Sequence, residues 1–440
     1  MPLILALVAF LSLFTNLYKY PFRVEESLRT QIAFEMWHSK SYLQPTFLGE
    51  PYYNKPPLFN WLILLSSHLI PWSELTARAV SLTSLLLLAL FTYLFSYHLS
   101  KNHLQASMAS FILITFGSLF FFYGYLAEVD TTFTLFLFVS TALLYLWWRS
   151  DLILYALLSG LFFGLSFMIK GFPAYAFLLM SLLALVAYSK SIRRLFGIKA
   201  LLLYLSSLLI PALWLLSLPE PLLYLSNLWR ESFSRVGGDF SRLRHMLTYP
   251  LINFKDLLPW SALFLFLLFK QRKSTECPAY IRPLLLLLAF NYIPYWVSNS
   301  AGRYVIPLYP LLAIVFSHYF TKALEDRAFK KLFLSLAFAS IILRLLYGLF
   351  FFPYWEQKET SRKRIALDIF SLAGKSPIAC ECPEEKSVCL YVGIFRGEPL
   401  KRLSLTPSAE YVINCSKPSG SPLKTYPLKD KEIRLERLNY

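Results

Sequence analysis

Two adjacent carboxylates and one stiffly held lysine are the residues of this chain whose types and spacing could perform chemistry. Glu25 and Glu26 follow an apolar N-terminal run, and Arg29 lies four residues after Glu25. Lys55 lies between Asn54 and a Pro-Pro pair that prevents helix formation and stiffens the backbone. A carboxylate that accepts a proton and a fixed cation suit the transfer of a group from a phosphate-bearing donor. The alternative is an interfacial loop whose long charged side chains merely reach water.

The composition is that of a membrane protein with several spans. The 440 residues are 56% hydrophobic and 18% aromatic, and the mean hydropathy is +0.50. The formal charge of +17 serves to set the topology and to attract phosphates or anionic lipid. The basic residues lie between apolar runs and not on one soluble face, so nucleic acid is not an expected partner. Neither a P-loop nor a glycine-rich dinucleotide motif is present, which leaves a soluble nucleotide-sugar donor unsupported.

The elements that must position these residues are about eleven transmembrane helices. The apolar segments that predict them are 1–17, 77–99, 104–125, 131–148, 152–169, 173–188, 200–218, 257–270, 283–298, 304–320 and 332–353. The run 57–70 is apolar but short, which is typical of an interfacial helix. We therefore predict a juxtamembrane helix there.

Charge in the short loops predicts which side of the membrane each loop faces. The short basic loops are 190–199, 270–282 and 322–331, and these should be cytoplasmic. If 57–70 does not cross, the other charged candidates share the opposite side: the loop 21–76, Asp130, Lys170, Arg303 and the C-terminal tail. The sequence thus predicts a multi-pass cytoplasmic (inner) membrane protein whose polar site faces the periplasm.

Two domains follow from this pattern. Residues 1–353 form the transmembrane domain, with a catalytic extracytoplasmic loop at 21–76 and a long extracytoplasmic loop at 219–256, predicted as two amphipathic helices or a lid. Residues 354–440 form a small soluble α/β domain, with a helix at 361–372 and strands at 377–381, 388–395 and 410–415. Its four cysteines allow up to two disulfides, with three connectivities.

Residues 25–61 resemble the first extracytoplasmic loop of the ArnT-like and protein-O-mannosyltransferase-like glycosyltransferases, which have the GT-C fold. The matching residues are Glu25-Glu26, Glu35-Met36, Pro45, Gly49, Tyr52, Lys55-Pro56-Pro57-Leu58 and Trp61. The chain departs from the ArnT-like pattern at three positions. Glu25 replaces the usual Asp, the family Arg falls at Leu28 with Arg29 one place on, and Asn54 replaces an acidic residue.

The resemblance implies an all-α polytopic GT-C membrane fold and an inverting sugar transfer from an undecaprenyl-phosphate-type donor. The implied acceptors are lipid A, other glycolipids or polymers, and protein Ser/Thr. Glu25 is the expected general base, with Glu26 as the alternative. The expected substrate- and phosphate-binding residues are Lys55, Arg29, Asp130, Lys170, Arg303, Tyr304 and Tyr52.

Two rival functions and the metal requirement stay open at this point. The rival within enzymes is a protein O-mannosyltransferase, and the rival outside enzymes is a transporter or flippase of lipid-linked sugar. A transporter should show internal repeats and charges near the middle of the membrane, neither of which is clear here. No cofactor follows from the pattern, and a divalent metal ion is neither required nor excluded.

Overall fold

The computed structural model describes residues 2–23, 25–233, 240–270, 278–354, 361–415, 421–428 and 432–438. Its first fifteen helices, in chain order, are α1 (Pro2–Ser12), α2 (Glu26–Ser39), α3 (Leu58–Ser67), α4 (Glu74–Ser100), α5 (His103–Ile114), α6 (Val129–Ser150), α7 (Ile153–Lys170), α8 (Pro173–Ser189), α9 (Ile198–Leu216), α10 (Pro221–Phe233), α11 (Phe240–Asp256), α12 (Trp260–Lys270), α13 (Ile281–Val297), α14 (Tyr309–Ala323) and α15 (Arg327–Leu346). Two helices, α16 (Arg362–Ala373) and α17 (Lys386–Arg396), follow in the C-terminal region.

The strands form two separate sheets. A hairpin between α2 and α3 pairs β1 (Thr46–Phe47) with β2 (Glu50–Pro51). The C-terminal region contains β3 (Ile378–Glu381), β4 (Tyr411–Asn414), β5 (Ser421–Pro427) and β6 (Glu432–Arg437) in the order β3-β4-β6-β5. The β3–β4 pair is parallel, and the other two pairs are antiparallel. With α16 and α17 this sheet forms the expected small α/β unit, hereafter the C-terminal domain.

All eleven apolar segments predicted from the sequence coincide with helices, but not all of these helices are long enough to span. Within the described residues, seven helices are long and apolar enough to cross a membrane, and α11 with α12, bent by 101°, makes an eighth if the pair is one span. The segments in α5, α8 and α13 belong to shorter apolar helices. The 12 residues of α5 rise about 18 Å, less than the ~30 Å hydrocarbon core. By length and composition, seven or eight spans are supported among the described residues, and the total of eleven crossings stays a prediction.

The segment 57–70 forms the ten-residue helix α3, as short as an interfacial helix should be. The loop 219–256 contains α10 and α11, which matches the prediction of two helices, while residues 234–239 between them lie outside the described part of the chain.

Two glycines let α7 lie close against α9. A methyl group on Gly160 would overlap the Leu203 carbonyl oxygen and the Ser206 hydroxyl, and one on Gly164 would lie 2.6 Å from the Ser207 carbonyl oxygen. Small residues four positions apart are how membrane helices bring their backbones together. This contact fixes the C-terminal end of α7, where Lys170 lies.

Glu35 fastens the β1–β2 hairpin to α2. Its carboxylate accepts hydrogen bonds from the Thr46 hydroxyl (2.7 Å) and from the backbone N–H groups of Leu48 (2.7 Å) and Gly49 (3.2 Å). Burial raises the pKa of Glu35, while these donors favour its charged form. Because Tyr52 follows the hairpin directly, Glu35 also sets where the loop carrying Lys55 begins.

One element of the C-terminal domain differs from the prediction. Residues 388–395 were expected as a strand from their Val, Ile and Tyr content, but they lie in the helix α17. Residues 387–393 are all buried, because α17 packs against both α16 and α2. Tertiary burial on several faces outweighs local strand propensity here.

The four tail cysteines pair as Cys380–Cys389 and Cys382–Cys415, one of the three connectivities left open by the sequence. Both disulfides tie the β3 region to its surroundings, the first to α17 and the second to the end of β4.

The C-terminal domain docks on the bundle through Glu74 at the start of α4. The Tyr391 hydroxyl donates to Glu74 at 2.7 Å, and the Lys363 ammonium lies 2.9 Å from the same oxygen. The Phe22 backbone N–H donates to the Tyr391 hydroxyl at 2.8 Å. Glu25, the residue directly before α2, lies next to this docking surface, since Lys386 of α17 contacts it.

Candidate active site

Glu25 lies at the N-terminus of α2 between two cations. The Arg29 guanidinium lies 3.7 Å from Oε2 of Glu25, and the Lys386 ammonium lies 3.1 Å from Oε1. The Glu25 side chain is 30% exposed. Although burial acts in the opposite direction, the two cations hold the pKa of this carboxyl below its usual value. Glu25 is therefore ionised and accessible, as a proton acceptor must be.

Glu26 points away from Glu25 into the protein. Both of its oxygens accept from the Arg78 guanidinium at 2.8 Å, and neither side chain is exposed. Arg78 also donates to the backbone carbonyls of Leu17 and Tyr20. The pair thus ties the start of α2 to α4 and to the preceding loop, and its geometry is that of an anchor.

Tyr52 and Lys55, in the loop that follows the hairpin, lie near Arg29 of α2. The Arg29 guanidinium donates to the Tyr52 hydroxyl at 3.1 Å. Lys55 lies 3.5 Å from Glu231 on α10, and its carbonyl accepts from the Tyr224 hydroxyl at 2.7 Å. Burial lowers the pKa of Lys55 to about 8, with Arg29 and Lys170 adding repulsion and Glu231 opposing the shift. Because these neighbouring positive charges repel one another, a negatively charged phosphate bound among them would be stabilised.

Asp130 and Lys170 form a buried ion pair behind this loop. The Lys170 ammonium contacts Asp130 and lies 4.5 Å from the centre of the Tyr304 ring. Arg303 reaches the same group, with its Nε 3.8 Å from Oδ2 of Asp130. Asp130 thus joins α6 to the end of α7 and to the start of the Gly302–Ala323 segment.

Glu128 lies between Glu25 and Arg303, and the sequence did not single it out as a site residue. Its Oε1 lies 3.4 Å from the Glu25 backbone nitrogen, and its Oε2 lies 3.7 Å from Arg303. Burial, followed by the neighbouring Asp130 charge, raises the pKa of Glu128 to about 7. The only signal in the sequence is a second carboxylate two residues before Asp130, at the start of a span.

The structure therefore brings the predicted site residues together through direct contacts or close electrostatic neighbours, and Glu26 differs in that Arg78 engages both of its carboxylate oxygens. The sequence prediction also did not include Glu128, Lys386 and Glu231, because each reaches the site from an element distant in the chain.

Two amphipathic cavities border this cluster. A cavity of about 1100 Å³ is lined by Glu25, Arg23 and Lys386 on one side and by aromatic and aliphatic side chains on the other, including Phe121 and Phe352. A second cavity, of about 830 Å³, contains Arg303 in its lining and shares Phe121 with the first. Such spaces suit molecules with an apolar chain and a charged head.

The residues at hand do not make a metal centre. Within the described ranges no group of three His, Cys, Asp or Glu side chains is placed to hold a metal ion. Asn54, at the position that is acidic in the ArnT-like pattern, is exposed.

Comparison with known protein families gives a partial match. Residues 54–216 match the family described as dolichyl-phosphate-mannose-protein mannosyltransferase. This segment begins just before Lys55 and includes Asp130 and Lys170.

Two curated relatives are named as arabinosyl transferases. The chain is 27% identical to the undecaprenyl phosphate-alpha-4-amino-4-deoxy-L-arabinose arabinosyl transferase 2 of Proteus mirabilis, over 80% of this chain and 66% of that protein. It is 27% identical to the arabinosyl transferase of the same description from Pseudomonas aeruginosa strain UCBPP-PA14, over 67% of this chain and 54% of that protein. The chain thus spans between about half and two thirds of the length of these relatives.

Solved structures share the fold across almost the whole chain. ArnT from Cupriavidus metallidurans, bound to undecaprenyl phosphate, superimposes with a TM-score of 0.71 at 13% identity, covering 98% of this chain and 97% of that one. Its apo state gives the same TM-score at 12% identity. With the helical bundle and the C-terminal domain, these likenesses show that the chain is a multi-pass membrane protein with the GT-C fold that the ArnT structures also have.

Proposed function

We propose that the chain is a membrane glycosyltransferase that moves a sugar from a polyprenyl-phosphate donor to a lipid acceptor. The observation that carries the proposal is the ionised Glu25 carboxylate, which lines an amphipathic cavity and is paired with Arg29. The names of the curated relatives and the ligand of the solved ArnT structure support the donor class. A lipid A-like acceptor, or another glycolipid, is the acceptor class that the resemblance of residues 25–61 implies.

In the proposed reaction, the acceptor hydroxyl oxygen attacks the anomeric carbon of the sugar. The bond between that carbon and the phosphate oxygen breaks, and polyprenyl phosphate leaves. The hydroxyl proton passes to Glu25, which acts as the general base. A single displacement of this kind inverts the anomeric centre.

The cations stabilise the charge that develops on the leaving phosphate. Lys55 is the proposed principal ligand, because burial and the nearby Arg29 and Lys170 charges disfavour its ammonium form, which a bound phosphate would stabilise. Arg29 lies beside it, and the Tyr52 hydroxyl holds Arg29 in place. Lys170 and Arg303 are already paired with Asp130. We propose that they hold the shape of the site and that they contact the phosphate only if bound substrate separates them from Asp130.

The membrane placement is also part of the proposal. We infer that the protein lies in the inner membrane with Glu25, Lys55 and the C-terminal domain on the periplasmic side. The loop 21–76 would then be the catalytic loop of a transmembrane domain at 1–353, and 354–440 a separate extracytoplasmic domain. A donor whose tail dissolves in the bilayer reaches such a site from the outer leaflet.

Mass spectrometry of lipids and glycoproteins from a deletion strain tests this function. We expect a lipid species to lose the mass of one sugar, with the loss reversed by the wild-type gene and not by Glu25→Gln. The variant removes the charge of the base but keeps the size of its side chain. A lipid profile identical in deletion and wild-type strains would contradict the proposal.

A protein acceptor is the second candidate, favoured by the family match over residues 54–216. In that case the sugar would disappear from Ser or Thr of membrane proteins while lipid headgroups stayed unchanged. A flippase would differ from both, because Glu25→Gln would still restore the movement of lipid-linked sugar.

A further inference from the structure

A lysine of the C-terminal domain contacts the candidate base directly. Lys386 begins α17, and its ammonium donates to Oε1 of Glu25 at 3.1 Å across 361 residues of sequence separation. The two side chains are 24% and 30% exposed, and both line the cavity of about 1100 Å³. A substrate that enters this cavity therefore meets both groups of the pair.

The backbone that carries Lys386 is held firmly. The Cys380–Cys389 disulfide links the first turn of α17 to β3. Tyr391 in the same helix is hydrogen-bonded to Glu74 and to the Phe22 backbone. Gly393 of α17 packs close to Phe34 of α2. The ammonium of Lys386 thus approaches Glu25 from an element that is fixed relative to α2.

The two cations beside Glu25 engage different oxygens. Arg29, from α2 itself, faces Oε2, and Lys386 faces Oε1. Glu128, from the segment before α6, accepts from the Glu25 backbone, and Arg303 adds its charge from the Gly302–Ala323 segment. Of these groups, Lys386 is the one contributed by the C-terminal domain.

We propose that Lys386 is a positioning residue of the transfer reaction, which fixes the orientation and the ionised state of the Glu25 carboxylate. The inference rests on the function proposed above, and it makes the site incomplete without the C-terminal domain. The simpler alternative is that Lys386 only anchors that domain. Anchoring is already provided by Lys363 and Tyr391 on Glu74, and an ion pair between partly exposed groups adds little stability.

A nearby cation lowers the pKa of a carboxyl, so removal of Lys386 should raise the pKa of Glu25. The ionised base would then be lost at a higher pH as the solution is acidified. The two explanations differ in whether transfer follows this shift. Loss of a mere anchor would lower stability and leave the pH dependence of transfer unchanged.

The test follows the reaction of Glu25 with a water-soluble carbodiimide, which modifies protonated carboxyl groups, in the full chain in lipid nanodiscs. Peptide mass spectrometry gives the pH midpoint for Glu25. In Lys386→Gln we expect this midpoint to rise by about one pH unit. Lys386→Arg should restore the wild-type midpoint, because it keeps the charge. Lys386→Met provides a second neutral variant if the glutamine does not fold.

Lys363→Gln is the matched control, because it removes an ion pair of the same domain that lies outside the cavity lining. It should leave the Glu25 midpoint unchanged. Neutral variants at position 386 that titrate like the wild type would overturn the proposal.

A second arm measures transfer itself, through the lipid species lost in the deletion strain. The acid limb of its pH dependence should move upward in Lys386→Gln, with transfer about tenfold slower at pH values below both midpoints. A shifted titration with an unshifted transfer profile would also overturn the positioning role. Wild-type protein that titrates as expected but transfers nothing would instead overturn the proposed function.

Discussion

Burial lowers the pKa of Lys55 to about 8, so the proposed phosphate ligand loses its charge in mildly alkaline solution. A neutral amine attracts phosphate far less than an ammonium does. We therefore predict that undecaprenyl phosphate binds more weakly as the pH rises through 8, by about tenfold one pH unit above the midpoint. Binding to the purified chain at a series of pH values measures this.

Lys55→Arg is the control for that titration, because a guanidinium stays charged throughout the range. Its affinity should be independent of pH between neutral and mildly alkaline solution. A wild-type affinity that is equally flat would mean that Lys55 does not hold the phosphate.

Glu26 and Arg78 form a fully buried ion pair, and we predict that breaking it destabilises the protein. Glu26→Gln leaves the Arg78 charge uncompensated, which costs about 3–5 kcal/mol in such pairs. Thermal unfolding in detergent should show the loss. The double variant Glu26→Gln with Arg78→Met should recover much of it, because no buried charge then remains. Unchanged stability of Glu26→Gln would contradict the anchor role and return Glu26 to the candidates for the base.

At the scale of elements, the β1–β2 hairpin depends on a single carboxylate. Glu35→Ala would leave the buried Leu48 N–H without an acceptor, at a cost of about 1–3 kcal/mol for such a group. We predict faster amide exchange at Leu48 and Gly49 and weaker undecaprenyl phosphate binding, since the loop to Lys55 begins there. Ser41→Ala, an exposed change just before the hairpin, should affect neither measurement. Wild-type exchange at Leu48 in the Glu35 variant would contradict this assignment.

The transmembrane-domain helices were predictable because each apolar segment of the sequence is longer than a typical β-strand. The helix α17 was not predictable in this way, because the local composition of residues 388–395 indicates a strand. These residues form a helix that packs against α16 and α2. The same limit applies to the site. Residues 25–61 could be recognised from local spacing, whereas Glu128 and Lys386 reach Glu25 only through tertiary packing.

At the scale of the whole molecule, the disulfides test on which side of the membrane the C-terminal domain lies. Disulfides persist in oxidising compartments and are rare in the cytosol. We predict that protein from cells treated with a thiol-blocking reagent before lysis contains the linked peptides Cys380–Cys389 and Cys382–Cys415. Blocked thiols at these four positions would place the domain, and Glu25 beside it, in the cytoplasm.

In the proposed site, the cations hold the donor phosphate and Glu25 accepts the proton, so the two functions belong to different residues. The most direct measurement compares undecaprenyl phosphate binding by the wild type, Lys55→Ala and Glu25→Gln. If these functions are separate, Lys55→Ala should bind undecaprenyl phosphate at least about tenfold more weakly than the wild type. Glu25→Gln should bind it as tightly as the wild type, or more tightly, and should restore no transfer. Equal loss of binding in both variants, or full transfer by Glu25→Gln, would contradict this separation.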